Sequence, residues 1–122
     1  MSLILDENSA KHQIRAYQPG QIKVNEKIYY HSLIVTSQKL IDWTPQTFTE
    51  LTAEHLNILA SLAPPILLIG TGSALKFLSP TVYGKLINQG IGVEVMTTRA
   101  ACMTYNALTA ENREVAAALI IK

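Results

Sequence analysis

The stretch Ile66-Leu-Leu-Ile-Gly-Thr-Gly72 constrains the fold of this chain most tightly. Four consecutive branched apolar residues, fenced by Pro64-Pro65 in front and a glycine pair behind, read as a strand buried on both faces. Gly70 and Gly72 allow a sharp turn of the backbone, or the close approach of another group. A second run, Val93-Glu94-Val95-Met96, ends at Thr97-Thr98 and passes straight into a helical pattern. Two strands that both stop at small polar residues point to one shared edge of a sheet, where open α/β sheets bind ligands.

The segments around them fit that frame. Thr52 reads as an N-cap before a stripe of Leu56, Leu59, Ala60 and Ala63 at helical spacing, stopped by Pro64-Pro65. Residues 74–78 read as an irregular crossover. Ser79-Pro80 opens a helix and Gly90 closes it, with Val82, Tyr83, Leu86 and Ile87 as the inner face. Thr98 reads as the cap of a helix of about ten residues in which Ala101, Tyr105 and Leu108 share a face. The final run Val115–Ile121 is ambiguous, because its alanines favour helix while its unbroken apolarity favours a buried strand. It is read here as a strand, and the short loop before it allows an antiparallel return.

Towards the N-terminus, residues 1–13 read as a loose tail or edge strand. Gln18-Pro19-Gly20 is a turn, and the runs 21–24 and 27–30 flank Asn25-Glu26 as a hairpin. Residues 32–36 form a further strand. Trp43 and Pro45 sit in a connection with a short extended piece near Leu40-Ile41. The whole reads as one α/β domain, residues 1–122, with a mixed sheet and an N-terminal β-hairpin layer.

Composition narrows the function classes. The chain is 48% hydrophobic and 16% charged, with mean hydropathy +0.19, so a sticky face for a protein partner is expected. Ten basic and nine acidic residues without a basic cluster argue against a nucleic-acid partner. One cysteine precludes an internal disulfide and fits a reducing, cytoplasmic setting. No apolar run approaches the roughly 18 residues a membrane span requires.

Chemical motifs are sparse. At Gly70-Thr71-Gly72 the P-loop pattern fails, since no Gly-Lys-Ser/Thr follows. The dinucleotide fingerprint also fails, since its third glycine falls at Leu75. A structural turn and a backbone nest for an anion both remain open, the latter with Thr98, Arg99, Asn106 and Arg113 as further ligand candidates. Cys102 reads as a buried structural thiol, with a helix-end nucleophile as the rival. His12, His31 and His55 lack ligand spacing, so no metal is expected, and no catalytic set or cofactor motif can be assembled. Trp43 reads either as an exposed aromatic anchor or as core.

A longer pattern carries a family resemblance. Gly70-Thr71-Gly72 follows a strand; then come Thr98, Ala101, Thr104-Tyr105-Asn106, Glu111 and Arg113 before a terminal apolar strand. With Tyr29-Tyr30, Ser32-Leu33 and Trp43, this resembles the Mth-like family of domains of unknown function over roughly residues 14–121. That family includes the adipogenesis-associated Mth-domain protein and assembly factor 3 of mitochondrial NADH dehydrogenase. The resemblance implies a three-layer α/β fold with a mixed central sheet whose last strand is antiparallel. It brings no established catalytic residues, and Ala16-Tyr17-Gln18 departs from the Gly-Tyr-Gly turn common among members. The expectation is a non-enzymatic binding or assembly protein with an unidentified protein partner, and pairing with a second copy stays open. The rival is an enzyme or small-anion binder using the strand edge at Gly70–Gly72 and Thr98.

Overall fold

The computed structural model describes residues 10–122. Residues 11–13, placed by the sequence in a loose tail, are tied down. The amides of Lys11 and His12 donate to the Ser37 carbonyl, and that of Gln13 donates to Oδ1 of Asn25. The rest of the expected tail, residues 1–9, lies outside the described residues.

Strands β1 (Ile14–Gln18), β2 (Gln21–Val24) and β3 (Lys27–Tyr29) form an antiparallel sheet in sequence order. Asn25 takes φ 54° in the β2–β3 turn, a conformation asparagine tolerates better than most residues. The expected hairpin is therefore present, with β1 as a third strand. Next come β4 (Leu33–Thr36) and β5 (Leu40–Asp42). Two short 3-10 turns then lead into α1 (Asn57–Leu62), which is shorter than its apolar stripe implied. Ala63 drops out of the helix into the left-handed region at φ 46°, because Pro64 disfavours helical geometry in the residue before it. The remainder alternates: β6 (Ile66–Gly70), α2 (Pro80–Asn88), β7 (Gly92–Met96), α3 (Thr98–Ala110) and β8 (Val115–Leu119).

The larger sheet has the order β5-β4-β8-β6-β7. β6 pairs in parallel with β7 on one side and with β8 on the other, while β8 pairs antiparallel with β4. The sheet is mixed as expected, but β8 itself lies parallel to β6 and β7, a correction to the expected direction of the last strand. The reason is mechanical. The 13 residues of α3 carry the chain back by about 20 Å at 1.5 Å per residue. The short connection that follows therefore releases the chain at the end where β6 begins, and the strand must run parallel.

Both faces of this sheet are covered, which gives three layers. Val115, Ala117 and Leu119 of β8 face α3 and the inner side of β1–β2. Ala116, Ala118 and Ile120 face the opposite way, under α1, α2 and Trp43. Trp43 is core rather than an exposed anchor, and its Nε1–H donates to the His55 carbonyl at 3.0 Å.

The three consecutive alanines of β8 are fully buried between the layers, so the layers approach closely there. Replacing Ala117 with Leu is expected to destabilise the fold by about 1–3 kcal/mol through overpacking, read as a lower midpoint in urea unfolding. An unchanged midpoint would show that spare room exists beside β8.

Candidate functional site

The sequence placed Gly70-Thr71-Gly72 beside Thr97-Thr98 at one sheet edge, and the structure brings them together there. They form a closed joint rather than a crevice. Thr98 is fully buried, and its hydroxyl accepts from the Gly72 amide at 2.8 Å and donates to the Ile120 carbonyl at 2.7 Å. Its own amide donates to the Gly72 carbonyl at 2.9 Å. The helix cap falls one residue earlier than expected: Oγ1 of Thr97 accepts from the Ala100 amide. Thr71 is buried as well, its hydroxyl donating to the Ala74 carbonyl and accepting from the Lys76 amide.

Both glycines are required by what surrounds them. A Cβ on Gly70 would sit 2.8 Å from Cα of Thr98, and one on Gly72 would sit 2.6 Å from the Lys122 carbonyl oxygen. Gly72 also has φ +102°, which side chains rarely adopt. The Lys122 carbonyl and the Ile120 side chain lie against Gly72 and fill this edge, while Leu75 and Phe77 are exposed.

Of the other candidates, Arg99 and Asn106 come together between β1 and α3, and Arg113 lies apart. Asn106 grips β1 by its backbone: Oδ1 accepts from the Ile14 amide at 3.1 Å and Nδ2 donates to the Ile14 carbonyl at 2.6 Å. Next to it the Tyr105 hydroxyl donates to the His12 carbonyl at 2.7 Å. Tyr105 and Asn106 thus pin the N-terminal sheet onto α3. Arg99 is exposed, with its guanidinium 5.6 Å from the centre of the Tyr17 ring, a cation–π distance. Arg113 lies past the other end of α3, in a turn where its amide donates to the Leu108 carbonyl, so it cannot join the strand edge.

A concavity of about 200 Å³ between β1 and α3 is lined by Tyr17, Arg99, Cys102 and Asn106, among others. Burial pushes the Cys102 thiol up to about 12, only partly opposed by Arg99, which leaves no thiolate near neutral pH. Burial also raises the Tyr17 phenol, with Cys102 adding to the rise and Arg99 opposing it. Among the described residues no three His, Cys, Asp or Glu side chains cluster to hold a metal.

What the sequence missed is an open apolar corner. β7 is an edge strand, and beside it Leu75 and Phe77 are 67% and 81% exposed. They line a shallow concavity of about 390 Å³ with Leu78, Tyr83 and Val95. The available signal was three large apolar residues within 75–78, a segment with neither helical nor strand period to bury them.

A family model described as a protein of unknown function (DUF498/DUF598) matches residues 14–120. A Danio rerio protein named NADH dehydrogenase (ubiquinone) 1 alpha subcomplex assembly factor 3 is 33% identical over 122 residues, covering 98% of this chain and 70% of the relative. The chain spans about two thirds of the length of the curated vertebrate relatives it matches. Among solved structures, a Bordetella parapertussis protein superposes with TM-score 0.84 at 37% identity, covering 91% of this chain and 96% of that one. A Bordetella pertussis protein described as a Mth938-like domain gives TM-score 0.84 at 32% identity, covering 99% and 92%. These matches agree with the resemblance carried by the motifs between residues 70 and 113.

Thr98→Val keeps the shape of the joint but leaves the Gly72 N–H and the Ile120 C=O unpaired. A loss of about 2–4 kcal/mol is expected in denaturant unfolding. A loss below about 0.5 kcal/mol would mean that water or another group replaces the hydroxyl.

Burial holds the folded Cys102 thiol at about 12, above its ordinary 9.0. Its contribution to stability is therefore complete below pH 9 and is lost as pH rises from 9 towards 12. Thiol-reagent labelling of the folded protein at pH 8 is expected to run no faster than global opening. Rapid labelling would overturn the buried, inert assignment.

Proposed function

The chain belongs to the family described as protein of unknown function (DUF498/DUF598), and from that premise we propose that it is a binding protein of the assembly-factor kind. In this reading it holds another protein and does not transform a small molecule. The observation that carries the reading is the apolar corner of Leu75 and Phe77 beside the β7 edge. A phenylalanine left 81% exposed is poorly hydrated, and a group of such residues with a concavity between them is what a protein interface buries. The vertebrate relatives named as assembly factor 3 support the same class.

The rival proposal, a small-anion site built from Gly70, Thr71, Gly72 and Thr98, has less support. Those four residues are buried, and both threonine hydroxyls and the Gly72 amide are already hydrogen-bonded within the fold. A net charge of +1 without a basic cluster favours a protein over a nucleic acid as partner. A cytoplasmic setting is part of the proposal and is supported by the single, buried cysteine. No helix among the described residues is long and apolar enough to cross a membrane.

A photo-crosslinking amino acid at position 77 in the native cell is expected to give one dominant protein adduct. The same group at Lys39, between β4 and β5, should give none. The adduct should fall at least about tenfold when Leu75→Asp is added, as expected for a burial hot spot. Equal adducts from positions 77 and 39 would remove the basis for this reading.

A further inference from the structure

The β7 edge is an unfinished hydrogen-bond ladder. Gly92 donates its amide inward to the Pro65 carbonyl at 3.0 Å, and the Met96 carbonyl accepts from the Thr71 amide at 2.8 Å. Backbone groups alternate in direction along a strand, so Glu94 also turns towards β6. The N–H and C=O of both Val93 and Val95 therefore point away from the sheet. On the α3 side of the strand Glu94 is exposed and makes no ion pair among the described residues. On the α2 side Val93 and Val95 are half-buried, and the concavity of Leu75, Phe77 and Tyr83 opens beside them.

We infer that the occupant of this corner is an extended segment of another protein, added antiparallel to β7 as a sixth strand, in which apolar residues alternate with a Lys or Arg facing Glu94. The inference rests on the reading of this corner as a docking surface and names the partner's chemistry. The four outward backbone groups of Val93 and Val95 supply the ladder. Apolar side chains opposite them fall on the α2 side, against Phe77 and Leu75. The residue opposite Glu94 falls in the closer, non-hydrogen-bonded pair, with Cα atoms about 4.5 Å apart, where a cation is favoured.

A second copy of the chain fits less well. Pairing β7 with itself over its full length sets Glu94 against Glu94 in that same close pair, where like charges repel. One added strand also makes a small contact, on the order of 1,000 Å² or less in total, which suits a complex that must be released.

Fluorescence anisotropy with two labelled peptides of about nine residues, Val/Ile alternating with Lys and the same with Glu, tests this on the whole chain. The Lys peptide is expected to bind at least about tenfold more tightly than the Glu peptide, with the preference reversed by Glu94→Lys. Val93→Pro removes an N–H that faces away from the sheet, a place where strands tolerate proline, and is expected to weaken the Lys peptide at least about tenfold. In case that variant misfolds, N-methylating the peptide amides that face β7 should weaken binding to the unaltered protein equally, and methylating the alternate set should not.

Equal binding of both peptides, no measurable binding of either, or indifference to N-methylation overturns the inference. If Phe77→Asp weakens binding while Val93→Pro and N-methylation do not, the docking surface stands and strand addition falls. If none of the three changes binding, both fall. A dimer of the unaltered chain in sedimentation, dissolved by Val93→Pro, would give the edge to a second copy and overturn the choice of partner.

Discussion

Three segments far apart in sequence meet at the hydroxyl of Thr98. The first turn of α3 supplies that hydroxyl, and the chain just past β6 and just past β8 each contribute one partner to it, the Gly72 amide and the Ile120 carbonyl. A hydroxyl has one proton to give and lone pairs to receive, so a single residue can join a donor on one strand to an acceptor on another. The joint is buried, where an unmade hydrogen bond is expensive, and this makes the arrangement specific rather than merely favourable. The start of α3 is held against the sheet at this joint. Because α3 is fixed at its start, Tyr105 and Asn106 face the backbone of residues 12–14 and hold the small sheet in place.

The most distinctive pattern in the sequence thus has a structural role in the fold. Thr98, Tyr105 and Asn106 are residues a site would use, and here each is hydrogen-bonded to backbone. Asn106 spends its carbonyl and its amide on one residue of β1, in the manner of a neighbouring strand. A fold held together by side chain to backbone contacts between elements needs specific residues at specific places without needing a substrate.

Much of the architecture was legible in the sequence. Ser79-Pro80 and Gly90 bound α2 as expected, and the two apolar runs became parallel neighbours ending at a common edge. The direction of β8 was not legible, because loop length says little when the preceding helix has already reversed the chain. The cap at Thr97 rather than Thr98 was equally hidden. Either threonine can cap, and the choice is made by the distant Ile120 carbonyl, which claims the second hydroxyl. The closed state of the edge depends on residues 120–122 lying against Gly72, a contact between positions about fifty residues apart. The outward aim of Leu75 and Phe77 escaped for a different reason: irregular segments have no period from which a face can be read.

The placement of β8 carries a consequence for how the chain comes to be folded. It lies in the middle of the five-stranded sheet although it is made after every other strand in this chain. Until residues 115–121 leave the ribosome, β4 and β6 have no strand between them, and each shows an edge of unpaired backbone groups on that side. The first hundred or so residues can form local turns and helices, but they cannot close the sheet, so the decisive contacts are long-range and late. During synthesis the nascent chain therefore exposes adhesive edges, the state in which chaperones and misassembly compete for it. Truncation near residue 114 should be far more damaging than its small size suggests, since it removes the keystone and not a fringe.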